Sequence, residues 1–439
     1  MRSNPLRWLL LAGAIHITLT LAIFLVGHFQ LLPNVFDQHG TGLSFAIDGD
    51  TYRSLASQLA LELQTNGFAG WLAIKAPLHC RLYSILFVTI GRLLGHNILA
   101  AEPLNLVYYL GILTCVYFLG REIFNAHAGM LAAVIIAVWP SFLFHSTQLI
   151  RDSLAIFCLL ALLLVLTLVL KRAFSWRTAA LGCVAGAAFV TLFWVLRGNM
   201  WNVVVFAVGI TIALQVFRMF RGDKWLLPNA AVIAVVVMTM LFVPSRLEST
   251  SLPGVKPPAT PLAVSVTPDT AHPPIWRDTR SREGVFRIIL RQMGQRRAAF
   301  GRYSAQESNI DADVQLKNGD DVLRFIPRAA VIGFFAPFPR MWVQPGSYGR
   351  TGRLLSGAET LVMYLLYAAA AVCVWRNRKK LEFWLLFLVA AAGTIALGLV
   401  VVNAGALYRL RYVFWIMFII MAAETLVHFT ILRTSETKS

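Results

Sequence analysis

Apolar positions in this chain come in long unbroken runs rather than at the spacing of a half-buried helix or strand. A bilayer crossing takes about 20 such residues. Runs of that kind fall near residues 7–27, 103–120, 128–146, 152–170, 178–196, 200–217, 225–243, 357–375, 381–402 and 410–431. Two shorter stretches, Leu82 to Leu94 and Phe325 to Phe338, are interrupted by polar residues or prolines, and read either as crossings or as segments at the membrane surface. The pattern predicts an all-α polytopic membrane protein of about ten spans, or up to 12 if both short stretches cross. Arg2 and Arg7 precede the first run, but no small-residue cleavage site follows it, so it reads as an uncleaved first span.

The cations between the runs set the topology. With a cytoplasmic N-terminus, Arg121, Lys171, Arg172, Arg177, Arg218, Arg221, Lys224, Arg376, Arg378, Lys379 and Lys380 gather inside, and the short outer turns keep only Arg151, Arg197, Arg409 and Arg411. Letting both short stretches cross moves most of that charge outside. Ten spans, both termini cytoplasmic and two large outer loops, 28–102 and 244–356, are therefore expected. These loops divide the chain into an N-terminal module over 1–243, a Pro- and Arg-rich loop over 244–356, and C-terminal spans over 357–439. The first loop carries helical patterns from Tyr52 to Leu63 and from Leu82 to Leu94 that suit helices lying along the membrane. The second opens with a proline run from Pro244 to Pro274 that reads as extended linker, then an Arg-rich part from Arg277 to Arg302.

Composition narrows the class further. Of 439 residues 58% are hydrophobic and only 14% charged, which excludes an ordinary soluble domain. The net charge of +18 sits between apolar runs and in the second loop, so it points to topology and anionic lipid groups rather than to nucleic acid. Four of the five cysteines, Cys115, Cys158, Cys183 and Cys373, fall inside apolar runs without paired spacing, so neither a disulfide framework nor a zinc site is indicated.

The acidic pentapeptide Asp48-Gly49-Asp50-Thr51-Tyr52 stands just beyond the first span. Charge kept this close to a bilayer marks a functional candidate. A carboxylate followed by tyrosine at D-x-x-x-Y spacing suits a general base, while Gly49 with Asp50 as N-cap equally suits an acidic turn before a helix. Downstream come Pro77-Leu78, Gly95, Arg121-Glu122-Ile123-Phe124, Trp139-Pro140 and Arg151-Asp152. This ordered set resembles the GT-C class of membrane glycosyltransferases, of the dolichyl-phosphate-mannose mannosyltransferase and aminoarabinose transferase type. The resemblance covers roughly residues 1–200, and the remainder only by layout. Ala76-Pro77 departs from the usual double proline, and Gly49-Asp50 from the acidic residue that commonly follows the first Asp.

The resemblance implies a GT-C-like helix bundle that takes a sugar from a polyprenyl-phosphate donor and passes it to a glycan, lipid or protein acceptor on the outer face, with inversion. It implies an Asp general base; by spacing to Tyr52, Asp48 takes that place and Asp50 stands second. Cations should face the departing phosphate. Arg151, Arg197, Arg409 and Arg411 are the substrate-binding candidates, with Tyr52 and with Asp152, which either orients Arg151 or the acceptor or caps the helix starting at Ser153. The expected setting is a bacterial inner membrane with the site on the periplasmic side.

His39, His79 and His145 with Asp37, Asp48 or Asp50 lack the spacing of a metal site, so no metal or other cofactor is expected. Trp8, Trp201, Trp225 and Trp415 read as interfacial anchors, and Gly182 with Gly186 as a helix-packing face. Two other classes stay open: a polymerase or ligase acting on polyprenyl-pyrophosphate glycans, and a lipid or sugar transporter.

Overall fold

The computed structural model describes residues 5–32, 40–43, 47–222, 226–247, 285–303, 308–343 and 349–436. The chain starts with α1 (Pro5–His28), then four helices of the first large loop, α2 (Ile47–Thr65), α3 (Gly67–Ala73), α4 (Leu78–Thr89) and α5 (Gly91–Leu94). Next come α6 (Ile98–Ile123), α7 (Ala126–Ala137), α8 (Pro140–Ser146), α9 (Asp152–Lys171), α10 (Trp176–Arg197), α11 (Trp201–Phe220) and α12 (Leu227–Arg246). The second large loop holds α13 (Val285–Tyr303), α14 (Gly319–Phe335) and α15 (Pro339–Trp342). The chain finishes with α16 (Gly349–Asn377), α17 (Leu381–Val400), α18 (Ala404–Leu410) and α19 (Tyr412–Glu436). Among the described residues there is no strand, only an isolated bridge between Asn309 and Asn403.

Eight helical runs among the described residues are long and apolar enough to cross a membrane. One of them, Trp176–Phe220, runs for 45 residues and contains α10 and α11. It folds back on itself. Gln215 Nε2 donates to Val169 O at 3.1 Å and Arg218 donates to Leu170 O, so α11 ends beside the end of α9, next to where α10 began. A further pair, α7 and α8, is bent by 70° at Trp139. With leucines such as Leu10, Leu21, Leu181 and Leu365 turned outward on these helices, the molecule is an all-α polytopic membrane protein.

Two ends of the bundle are distinguished by their charges. At one, Arg172 Nη2 reaches Glu122 Oε1 at 2.6 Å, Arg376 pairs with Glu424 at 3.2 Å, and Lys380 Nζ donates to Ile123 O at 3.3 Å. This basic end collects the cations that flank the spans. The opposite end carries the two large loops.

The stretch from Phe325 to Phe338 packs lengthwise against another helix. α14 runs antiparallel to α17 with the two backbones nearly touching: a Cβ on Gly333 would sit 2.3 Å from Thr394 O, and one on Gly398 would sit 2.0 Å from Ala329 O. Tyr364 Oη donates to Phe335 O at 2.5 Å, and Arg353 then ties the returning chain to Met341 O and Ser308 Oγ. The segment therefore enters and leaves the bundle by the loop-bearing end. Leu82 to Leu94 becomes α4 and α5, packed on α2 and α6. Gly182 and Gly186 lie against Val232 and Val236 of α12, as a packing face should.

Candidate functional site

The acidic pentapeptide is helical, not a turn. α2 starts at Ile47, so Asp48 and Asp50 both occupy its first turn. Asp152 likewise opens α9, in place of the Ser153 start that would have made it a cap. Arg197 ends α10 and Arg409 lies in the last turn of α18. Each of these charges thus sits at the helix end its sign favours, acids at N-termini and cations at C-termini. Four helix ends meet at the loop-bearing end of the bundle, and their charges join.

The result is a chain of ions. Arg409 Nη2 donates to Asp48 Oδ2 at 2.9 Å. Arg409 Nε lies 3.1 Å from Asp152 Oδ2, an ion contact without hydrogen-bond alignment. Asp152 Oδ1 pairs in turn with Arg197 Nη2. Exposure falls steeply along this chain: the side chains of Asp48 and Arg409 are 45% and 22% accessible, those of Asp152 and Arg197 only 9% and 5%. One end is buried and the other is open. Beside Asp152, Arg197 and Arg409 lies a cavity of about 20 Å³, room for one water, lined also by Phe193, Met200 and Val413.

Arg151 stands beside this chain with a spare guanidinium. It makes one long hydrogen bond, 3.4 Å, to Leu196 O and forms no ion pair among the described residues. Its charge acts on Tyr52 and His79, which meet edge to face with ring centroids 4.4 Å apart. Tyr52 is almost fully buried, and burial raises its phenol above the ordinary range. Burial, followed by Arg151 and Arg197, pushes the His79 imidazole down to about 3, so it is neutral. His79 Nδ1 is buried without a hydrogen-bond partner.

Of the residues singled out in the sequence, Asp48, Asp152, Arg197 and Arg409 are directly joined, and Arg151 and Tyr52 adjoin them. Asp50 stands apart: it pairs with Arg53 at 2.9 Å on the same helix and is half exposed. Arg411 also faces elsewhere, two residues beyond Arg409 and so on the opposite side of the turn. It is fully buried, donates from Nη1 to Gly333 O at 2.8 Å and lies 4.2 Å from the Trp415 ring. Trp415 is therefore a core residue, packed with Trp139, Tyr408 and Tyr412, rather than an interfacial anchor. Asp37, His39 and Trp225 lie outside the described residues, and so does the proline run beyond residue 247. Among the described residues no three His, Cys, Asp or Glu side chains gather as a metal site.

Two buried polar networks were not anticipated. Glu359 of α16 accepts hydrogen bonds from Trp139 Nε1 at 3.0 Å, Ser141 N at 2.8 Å, Ser141 Oγ and Tyr408 Oη. It thereby caps α8 where Pro140 breaks the span, and it fixes α18, which carries Arg409. Trp139-Pro140 was the visible half of this junction. An acid inside the run from 357 to 375 was the signal for the other half. In the second network, His16 of α1 contacts Glu102 Oε1 at 2.7 Å and Ser146 Oγ at 3.0 Å, and Thr20 Oγ1 donates to Glu102 Oε2 at 2.7 Å.

Comparison with protein-family models, curated proteins and solved structures finds no match to this chain.

Proposed function

We propose that the protein is a membrane glycosyltransferase of GT-C type that moves a sugar from a polyprenyl-phosphate donor to an acceptor on the outer side of the membrane. One observation carries this reading: Asp48, Asp152, Arg197 and Arg409, drawn from α2, α9, α10 and α18, converge with Arg151 at one end of the bundle. A carboxylate that is still accessible, set among guanidinia, is the pairing that inverting transfer from a phosphate requires. The acceptor hydroxyl gives its proton to Asp48. Its oxygen bonds to the anomeric carbon as the bond from that carbon to the phosphate oxygen breaks, and the electron pair stays on the lipid phosphate. Arg151 and Arg409 meet the charge that develops there.

The charge balance favours a monophosphate donor. Three guanidinia face two carboxylates in the described cluster, a surplus of one positive charge. A sugar phosphodiester brings one negative charge and neutralises it, whereas a pyrophosphate-linked glycan brings two. This weighs against the polymerase or ligase reading. A transporter is the second reading, and the buried His16–Glu102 pair beside the 70° bend of α7 and α8 is what favours it.

In the proposed arrangement α10 and α11 cross separately and α7 with α8 crosses as one broken span. That makes ten crossings, with α2 to α5 lying along the outer surface. The positive-inside rule puts the basic end and both termini in the cytoplasm, and so the ion chain on the periplasmic side of a bacterial inner membrane. The deciding experiment is transfer in reconstituted vesicles. Labelled polyprenyl-phosphate monosaccharide should be consumed by the native chain and not by Asp48→Asn. Uptake of sugar or lipid without chemical turnover would instead select the transporter.

A further inference from the structure

The contact that joins Arg409 to Asp48 has two faces. It places the two groups together, but it also occupies a carboxylate oxygen that a base needs and a guanidinium nitrogen that a phosphate needs. We propose that this ion pair is a resting-state mask, and that binding of the anionic donor transfers Arg409 Nη2 from Asp48 to the donor phosphate and so uncovers the base. The proposal rests on the polyprenyl-phosphate reading above, and it adds an order of events: donor first, acceptor second.

Three features of the site carry it. Arg409 touches its two carboxylates through different nitrogens, Nη2 on Asp48 and Nε on Asp152, so one contact can be released while the other holds. The two contacts are unequal. Asp152 is buried and is also gripped by Arg197, whereas Asp48 is 45% accessible and has no second ion partner among the described residues. An ion pair that open to solvent contributes little, so it is the one that yields. Finally, Arg409 Nε makes no aligned hydrogen bond to Asp152, so charge alone anchors that end and the guanidinium is free to turn about it. A phosphate oxygen offers Nη2 a charge-assisted bond as good as the one it gives up. Arg151, held among the described residues by a 3.4 Å contact with Leu196 O, supplies the second arm.

The mask makes Asp48 a competitor of the donor for Arg409, and a double-mutant cycle reads that competition without catalysis. The probe is polyprenyl monophosphate, titrated into the full-length protein in nanodiscs, with the native chain, Asp48→Asn, Arg409→Gln and the double variant compared. With the competitor gone, Asp48→Asn should bind the lipid phosphate about fivefold more tightly than the native chain. Arg409→Gln should bind more weakly, and in its background Asp48→Asn should bring no gain. Arg409→Lys, which keeps the charge and favours folding, should retain part of the gain. A gain that persists in the Arg409→Gln background comes from bulk electrostatics and overturns the mask, as does the absence of any gain with Arg409 present. If neither the native chain nor any variant binds the lipid phosphate, the donor assignment itself falls and the mask falls with it.

Discussion

Two sets of buried or half-buried charges in this molecule are built from similar parts and are finished differently. In the His16–Glu102–Thr20–Ser146 network every functional group has a partner and the side chains are sealed from solvent. In the chain from Arg197 to Asp48 the polarity runs outward, from a buried pair to an accessible carboxylate, and Arg151 is left over. The first arrangement ties three helices together and has no unpartnered polar atom. The second leaves one acid and one cation with capacity to spare. On the proposed function, completeness of partnering rather than burial separates the polar groups that hold this fold from those that meet substrate.

The largest effect expected from that contrast lies at the open end. Asp48→Asn should reduce sugar transfer by about 10²- to 10⁴-fold while the detergent-extracted protein still elutes as the native species. Undiminished turnover would remove Asp48 from the chemistry. At the buried end of the same chain, Asp152→Ala strands Arg197 without its counter-charge and should cost about 3–5 kcal/mol in thermal or denaturant unfolding. A smaller loss, about 1–3 kcal/mol, is expected for Glu102→Gln, with the KM for the donor unchanged; a shift in that KM would mean that the sealed network reaches the site after all.

A subtler difference comes from His79 beneath Tyr52. Its imidazole titrates near 3 in the folded chain against 6.5 ordinarily, so below pH 6.5 the unfolded chain takes up a proton that the folded chain refuses. Stability should be level above pH 7 and fall as the pH drops towards 4, and His79→Gln should flatten part of that slope in melting curves taken between pH 7 and 5. The smallest effect belongs to Asp50. Asp50→Ala removes only an exposed pair within one helix and should change stability by less than about 0.5 kcal/mol and activity by less than about twofold.

Much of this was legible in the amino-acid order because a bilayer is a demanding solvent. A span must be unbroken and apolar, so runs such as 152–170 and 381–402 announce themselves. The different surroundings of the two acids follow from helix geometry: Asp48 and Tyr52 are four residues apart and share a helix face, whereas Asp50 turns away and pairs with Arg53. The same geometry was overlooked at Arg409 and Arg411, two residues apart and hence on opposite faces, which had been grouped as a pair. Gly49 suggested a turn where acids at a helix N-terminus were the better physical reading. The descent of α14 was not legible at all, since a short amphipathic stretch looks alike whether it lies on a surface or is drawn inward by glycines on a partner helix. Nothing local in the chain joins His16 to Glu102 either, because their meeting needs α1 and α6 to be docked.

The ion chain has a consequence for biosynthesis. Asp48 leaves the ribosome early, Asp152 and Arg197 follow with the middle of the chain, and Arg409 arrives only when the last helix is about to be made. Until α18 is in place, Asp48 and the far end of Asp152 lack the arginine that joins them among the described residues. A half-inserted polypeptide thus carries the acid without the cation that completes the cluster. On the proposed function, the order of synthesis therefore withholds the complete site until α18 has been made.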